Sequence, residues 1–323
     1  MNQSINNKKH TVLLTGATGF LGKHLGAKLY ENPDFSVKAA VRKYAEDLSI
    51  PQSDQCLIND INSETKWEAA LKGCDRVVHM AARVHVMKED ASDPLAEFRR
   101  INVDGTLNLA RQAADQGIKR FVFVSSIKVN GEKTSRGFSY TTDVAEIPKD
   151  PYGLSKYEAE EGLKEIAVNT GMEVVIIRPP MIYGPGVKGN FQRLVNLINK
   201  GYPLPLAHIN NKRSFVSIYN LCDLIQCCLI HPAAANQTFL VSDNEDLSTS
   251  ELLQKMAEAL EIKPHLFWFP KGVLKFSASV LGKGGEISRL VDSLQVDISD
   301  TMDKLNWKPA VNVESALKQT LRC

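Results

Sequence analysis

The sequence predicts an α/β protein: a doubly wound parallel sheet followed by a second, smaller mixed α/β region. Three observations carry this. Short β-branched runs alternate with amphipathic stretches, the pattern of a parallel sheet with crossover helices. The first run leads straight into a glycine-rich turn that opens a helix. Runs such as FVFV and VVII lack a polar face, as central strands do when helices cover both sides. Composition agrees: 323 residues, 43% hydrophobic and 24% charged, are globular values. At roughly 100 to 200 residues per domain the chain holds two domains, and it is long enough to bury a core without disulfide or metal staples.

In chain order, Thr11 to Thr15, Val37 to Val41, Arg76 to Ala81, Phe121 to Ser126 and Val174 to Arg178 read as strands. Beyond Arg178 the prolines Pro179, Pro180, Pro185, Pro203 and Pro205 interrupt the pattern, which resumes around Phe215 to Ile218 and Thr238 to Val241. This places one domain at residues 1–178 and 214–242 and the other at 179–213 and 243–323. The Trp and Phe residues of His265 to Phe276 are expected in the core of the second. There is no internal repeat or low-complexity segment.

Several function classes fall away. Lys plus Arg number 39 and Asp plus Glu 37, leaving +2 and no basic tract for a polyanion, so nucleic acid is not an expected partner. Cys56, Cys74, Cys222, Cys227, Cys228 and Cys323 form no CxxC pair and no metal-ligand spacing with the histidines. Reduced thiols and no metal site follow. The polar stretch Met1 to His10 lacks the apolar core of a signal peptide, and no apolar run is long enough to cross a bilayer. A cytoplasmic location is the expectation.

The first strand runs into Gly16-Ala17-Thr18-Gly19-Phe20-Leu21-Gly22. Such a GxxGxxG turn serves a dinucleotide. One glycine permits the tight turn, one admits the pyrophosphate to backbone N–H groups, and one lets the helix pack on its strand. The second strand ends in Arg42-Lys43, where an acidic residue would bond the ribose 2′-hydroxyl of NAD. Cations there suit a 2′-phosphate, which favours NADP(H) and leaves NAD(H) open; the alternative is that both are ordinary exposed loop cations. Asp60-Ile61 follows the third short strand, where an adenine amino group is read.

Tyr152 and Lys156 stand four residues apart in Asp150-Pro151-Tyr152-Gly153-Leu154-Ser155-Lys156, on one helix face. Asp150 suits the N-cap and Pro151 the first helical position, so Tyr152 lies at the positive end of the helix dipole. A neighbouring ammonium and that dipole are expected to depress the phenol pKa from about 10. Strand five ends in Ser125-Ser126, at the sheet edge that presents chemistry.

In that order, the glycine turn, the strand-end serine and Tyr152/Lys156 resemble the extended short-chain dehydrogenase/reductase superfamily, built on the Rossmann fold. The resemblance covers nearly the whole chain. It extends to Asp60-Ile61, Ala81-Ala82-Arg83, Asn102-Val103-Asp104-Gly105-Thr106, Arg178 to Gly186 and Arg213 to Val216. It implies that Tyr152 is the general acid/base, that Lys156 holds the nicotinamide ribose and lowers the tyrosine pKa, and that Ser126 orients the reacting oxygen. Ser126 is preferred because it stands five residues before Gly131, as in the family's serine-x-x-valine-tyrosine-glycine pattern, whose tyrosine is Asn130 here.

Cofactor contacts are implied for Ala81, Ala82, Arg83, Asn102 and Ser125 besides the glycine turn. Substrate contacts are implied for Asn190, Arg213 and Arg289, with His85 a further candidate after strand four, while His79 reads as a packed strand residue. Met181 replaces an Asn of many relatives. The resemblance assigns residues 1–178 and 214–242 to NAD(P) and the remainder to a nucleotide sugar. It further implies a homodimer through Asp93 to Ala114 and Tyr152 to Thr170.

Sugar-nucleotide 4,6-dehydratases carry an Asp-Glu pair after the serine or threonine; here it is Ile127-Lys128, which disfavours elimination. Three readings remain. The leading expectation is an NADP-dependent reductase of the 4-keto group of a UDP-4-keto-6-deoxy (N-acetyl)hexosamine. The alternatives are a UDP-glucose or UDP-N-acetylglucosamine 4-epimerase using bound NAD(P), and a non-catalytic dinucleotide sensor, which would not need Ser126, Tyr152 and Lys156.

Overall fold

The computed structural model describes residues 9–84, 93–270, 272, 273, 276 and 284–322. They divide into two compact units, one of Met1–Asn130, Val144–Arg178 and Cys222–Phe239, the other of Gly131–Asp143, Pro179–Leu221 and Leu240–Cys323.

Among the described residues of the first unit, strands β1 (His10–Thr15), β2 (Phe35–Val41), β3 (Gln55–Leu57), β4 (Arg76–His79), β5 (Arg120–Val124), β6 (Glu173–Arg178) and β9 (Thr238–Leu240) line up as β3-β2-β1-β4-β5-β6-β9. The pairs from β3 to β6 are parallel, with Thr15 opposite Ala40 and His79, and Val124 opposite Ile177. Order reverses between β1 and β4, so the ends of β1, β4, β5 and β6 open on a crevice where such sheets bind ligands. Every β5 residue is buried, which explains the unbroken run Phe121-Val122-Phe123-Val124.

Helix α1 (Phe20–Glu31) buries Gly22, Leu25, Gly26 and Leu29. On the other face, Leu109, Ala110 and Ala113 of α4 (Thr106–Asp115) and Ala159, Leu163, Ile166 and Ala167 of α5 (Pro151–Thr170) pack with Trp67, Phe121 and Phe123. Helix α3 (Pro94–Phe98) joins α4 through a π-helical stretch, Arg99–Gly105. Gly105 lies in that stretch because a Cβ would come within 2.7 Å of the Ile61 side chain. Helix α2 (Glu68–Leu71) precedes β4.

Two buried polar clusters fix the crevice. At the end of β6 the Arg178 guanidinium grips Glu160 of α5 in two places, Nη2 to Oε2 at 2.5 Å and Nε to Oε1 at 3.0 Å. The Ser125 hydroxyl donates to the same carboxylate, and Arg178 Nη1 donates to Asn130 at 3.1 Å. At the end of β4, His79 lies between Thr15 Oγ1 at 2.6 Å and Thr106 Oγ1 at 2.9 Å and stacks on Phe123. Burial and the Lys156 charge push its pKa down to about 3.

In the second unit β7 (Met181–Tyr183) pairs in parallel with β8 (Phe215–Ser217). Around them stand α6 (Asn190–Asn199), the end of α7 (Ile218–Ile230) nearest β8, α8 (Thr249–Ala259), α9 (Gly284–Val291), α10 (Ser299–Leu305) and α11 (Val313–Leu321). Buried Asp243 accepts from the Tyr183 hydroxyl at 2.7 Å, Ser217 N at 2.8 Å and Asn220 Nδ2 at 2.7 Å. Residues 131–143, 214–221 and 240–242, placed by the sequence reading with the first domain, belong to the second unit. The reason is backbone bonding: Tyr140 N donates to Gln295 O at 2.8 Å, Asp297 N to Tyr140 O at 2.9 Å, and Ser214 N to Leu294 O at 2.8 Å.

The expected core role of 265–276 is not what the structure shows, since Phe267, Trp268, Val273 and Phe276 are exposed. The strip His265–Phe267 is pinned by backbone bonds to Leu204 and Ala207, and Leu204 and Leu206 of that paired segment are buried.

Two stability predictions follow from the clusters. Arg178→Met leaves Glu160 buried and unpaired, so it lowers the urea-unfolding free energy by about 3 to 5 kcal/mol, and adding Glu160→Leu restores more than half of the loss. A single-variant loss under about 1 kcal/mol would refute the role of the pair. For His79, whose folded pKa is about 3, the unfolded chain binds the extra proton below its ordinary value of 6.5. Stability therefore falls as pH drops through that window, by about 2 to 3 kcal/mol from pH 6.5 to 4.5. His79→Gln flattens that slope; an unchanged slope would count against it.

Candidate active site

The glycine turn is shaped by its neighbours. Gly16 has φ +72°, and a Cβ on it would sit 2.8 Å from Ala81 N; one on Gly22 would fall 2.1 Å from Gly16 O. Neither place admits a side chain. Gly19 caps α1 in an extended conformation without a side-chain bond, and the first helical turn carries no acid. Thr18 and Gly19 are exposed, while Phe20 and Leu21 are partly so. The bare N–H groups and dipole of that helix start suit a pyrophosphate, so the residues fit a dinucleotide.

At the end of β2, Arg42 and Lys43 are exposed. Asp60 pairs with Arg100 at 3.2 Å; its pKa is held low by the Ile61 backbone bond first, then by Arg100, with Arg42 contributing. A cavity of about 360 Å³ opens there, lined by Leu57, Ile58, Asp60 and Thr65 among others. Ala81, Ala82 and Arg83 follow β4 on the crevice side. Asn102, expected at the cofactor, is buried and bonded within the protein. Its Oδ1 accepts from Arg83 N at 2.8 Å, and its Nδ2 donates to Arg83 O and Ser155 Oγ, each at 3.0 Å. Asn102 thus ties that loop to α5. The Ser125 side chain, expected at the same place, is engaged by Glu160.

Strand β5 stops at Val124, so Ser125 and Ser126 stand just beyond it. Ser126 caps the short turn Ile127–Val129, its hydroxyl accepting from Lys128 N at 3.2 Å. Asp150 caps α5 by accepting from Gly153 N at 3.0 Å, with Pro151 in the first turn and Gly171 closing the helix in the left-handed conformation. That start brings Tyr152 near Ser126, whose hydroxyl favours the phenolate. The Tyr152 ring meets Phe98 edge-on at 6.0 Å, and the Ser155 hydroxyl donates to Tyr152 O at 2.8 Å. One turn on, buried Lys156 donates to Val124 O at 2.9 Å and lies 4.3 Å from the Phe123 ring centroid.

The expected depression of the phenol pKa does not occur in the protein by itself. Burial pushes Tyr152 up to about 12, the Asp150 charge adds to the rise, and the Ser126 bond opposes it. Burial pushes Lys156 down to about 7 against the pull of Glu160. The ammonium is aimed at a carbonyl and an aromatic face, so it does not act on the phenol. In place of a dehydratase's carboxylates, Lys128 pairs with Asp150 at 3.1 Å.

The remaining candidates lie in the second unit. Asn190 is exposed at the start of α6, and Arg289 is exposed on α9. Arg213 is buried, donates to Asp292 O at 2.9 Å, and has its pKa lowered by burial and by Arg289 despite Asp292. His85 lies outside the described residues. Glu160, Asn130, Ser155 and Arg178 were absent from the sequence-derived site. The available signal was spacing: Glu160 stands four residues after Lys156 and eight after Tyr152, an acid on a buried helix face.

Comparison with known proteins agrees with this geometry. A family model described as "NAD dependent epimerase/dehydratase family" matches residues 12–242. A UDP-glucose 4-epimerase of Vibrio cholerae is 48% identical over 313 residues, covering 96% of this chain and 94% of that protein. An N-acetyl-alpha-D-glucosaminyl-diphospho-ditrans,octacis-undecaprenol 4-epimerase of Escherichia coli O157:H7 is 30% identical over 255 residues, 78% of this chain and 73% of that one. The crystal structure of UDP-N-acetylglucosamine 4-epimerase from Bacillus cereus shares the fold, with TM-score 0.77 and 20% identity over 98% of this chain and 100% of that chain. With the glycine turn, the switch-point crevice and Tyr152/Lys156 in place, the chain belongs to the NAD dependent epimerase/dehydratase family, within the extended short-chain dehydrogenases/reductases.

Proposed function

We propose that the protein is a nucleotide-sugar 4-epimerase that inverts C4 of a UDP-hexose or its N-acetyl form with a bound nicotinamide dinucleotide. The observation that carries this is the 48% identity to a UDP-glucose 4-epimerase across 96% of the chain. It displaces the reductase as the leading reading. The first unit is assigned to the dinucleotide. The second is assigned to the nucleotide sugar, with Asn190, Arg213 and Arg289 meeting its diphosphate through amide and guanidinium donors.

The bound dinucleotide supplies a group that accepts one hydride and returns it. The chain supplies the proton chemistry. Tyr152 Oη takes the proton of the C4 hydroxyl and gives it back after the sugar has turned its other face. Ser126, which favours the phenolate, holds the same oxygen beside the phenol. Lys156 binds the ribose hydroxyls from its place on α5, beside the end of β5. With the phenol at about 12, base action near neutrality needs added positive charge, which an oxidised nicotinamide carries.

Net reduction of a 4-keto-6-deoxy sugar is the second reading, and one observation favours it: Arg42 and Lys43 stand exposed beyond β2, where a 2′-phosphate would lie. Both readings use the same three side chains and differ in whether the dinucleotide is consumed.

Incubation of the protein with UDP-glucose or UDP-N-acetylglucosamine and no added dinucleotide is expected to yield the C4 epimer to equilibrium. No turnover there, with stoichiometric NADPH oxidation on a UDP-4-keto-6-deoxy sugar, would establish the reductase instead. Tyr152→Phe lowers kcat by a hundredfold or more with dinucleotide affinity unchanged, and a residual rate above about a tenth would refute the acid/base role. Arg42→Ala weakens NADPH about tenfold or more and leaves NADH unaffected if the cations read the 2′-phosphate. Equal titrations of the two cofactors by the unaltered protein would exclude that preference.

A further inference from the structure

Lys128 occupies one of the two positions where dehydratases carry carboxylates, and it touches three parts of the catalytic corner of the first unit. Its backbone N donates to Ser126 Oγ at 3.2 Å, and its ammonium donates to Asp150 Oδ1 at 3.1 Å. The same Nζ lies over the Tyr152 ring, 6.0 Å from the centroid. The second Asp150 oxygen accepts from Gly153 N at 3.0 Å, so both oxygens of the carboxylate are held. Gly153 lets the two pieces of chain close, since a Cβ there would fall 2.5 Å from Asp150 Oδ2 and 2.9 Å from Lys128 O. The side chains of Lys128 and Asp150 are 27% and 30% exposed, so salt and water screen the pair only in part.

Asp150 has two effects that conflict. As the N-cap it starts α5 and sets Tyr152 in the first turn. As a carboxylate two residues away it adds to burial in opposing ionisation of the phenol. We propose that Lys128 is the positioning residue that removes this conflict: its ammonium neutralises the Asp150 carboxylate and stands over the Tyr152 ring, so that the charge developing on the phenol meets a balanced pair. A cation facing a neutral ring gains a full charge–charge attraction once that ring turns anionic. The other elements around Tyr152 do not supply this. Ser126 favours the phenolate through its hydroxyl alone, and the Lys156 ammonium is directed at Val124 O and the Phe123 ring. From α3, Phe98 presents an uncharged ring, with the Arg83 guanidinium 5.8 Å from the centroid of that ring. The inference rests on the acid/base role proposed for Tyr152 and assigns Lys128 no contact with the sugar.

The test is the pH dependence of kcat/KM for epimerisation of UDP-glucose. As a base Tyr152 works once deprotonated, so the rate rises with pH through the pKa of the phenol. Lys128→Met moves that limb up by about one unit, read as about a tenfold loss of kcat/KM on its acid side that narrows as pH rises. Asp150→Asn keeps the cap, because Asn caps a helix as well as Asp does, and moves the limb the opposite way. The double variant Lys128→Met/Asp150→Asn returns the limb close to its original place, and Lys128→Arg, which keeps the cation, leaves it there. A merely structural role would lower the rate equally at every pH. That result overturns the proposal, as does a shift of the same sign in both single variants. A second readout needs no turnover: the tyrosinate absorbance of the NAD-loaded protein, less that of its Tyr152→Phe variant, titrates the phenol itself. Lys128→Met raises this midpoint by about one unit as well. An unchanged midpoint overturns the proposal whether or not UDP-glucose is turned over. A raised midpoint without turnover upholds it and removes the epimerase reading alone.

Discussion

At the carboxyl edge of the sheet, an ion pair shut off from water decides where the reactive groups stand. Glu160 and Arg178 are both fully buried, which is tolerated only when each charge is bonded on several sides. Ser125 and Asn130 complete that shell. The four partners come from separate pieces of chain: the end of β5, the turn after it, α5, and the end of β6. Displacing any one strands a charge that has no water to turn to, so these pieces hold position together. Ser126 lies between Ser125 and Asn130 in sequence, and Lys156 and Tyr152 lie one and two turns before Glu160. The network thus places all three catalytic candidates without touching a reacting atom.

The same burial that fixes the geometry empties the site of charge. Low polarity around an acid and a base moves them in opposite directions, and here the phenol rises to about 12 while the ammonium falls to about 7. Beside them, Glu160 and Arg178 form a buried ion pair at contact distance. The protein by itself therefore holds an uncharged Tyr152 and a readily deprotonated Lys156. Cationic and anionic ligand groups set their working state, which couples proton transfer to occupancy of the site.

Local features were legible in the sequence because their causes are local. The glycine turn followed from φ and packing at Gly16 and Gly22, the helix start at Asp150-Pro151 from the cap and ring constraint, and the strands from β-branched runs. Long-range partnerships were not. His79 is bonded to Thr15 and Thr106, 64 and 27 residues away, and read only as a packed strand residue. The sign of the Tyr152 shift was missed because proximity of Lys156 along the helix does not give the direction of its ammonium, which Val124 O and the Phe123 ring capture. Phe267 and Trp268 read as core from composition alone, whereas their exposure follows from the pairing of His265–Phe267 with 204–207.

The residues around Tyr152 also limit which reactions the site can run. Elimination across two carbons needs a second acid or base beside the first. The positions that would carry it are Ile127, which is buried, and Lys128, which is paired with Asp150. The Asp150 carboxylate is occupied in turn by Gly153 N and Lys128. In the proposed reading, one phenol and one serine hydroxyl remain to handle one sugar oxygen, which is the requirement for moving a hydride and a proton at a single carbon. Epimerase and reductase share that requirement. What separates them is the grip on the dinucleotide, retained through the cycle in one and exchanged each turnover in the other. On the proposed assignment the distinction lies outside Ser126, Tyr152 and Lys156, at the glycine turn, Arg42 and Asp60, so the geometry around Tyr152 serves both.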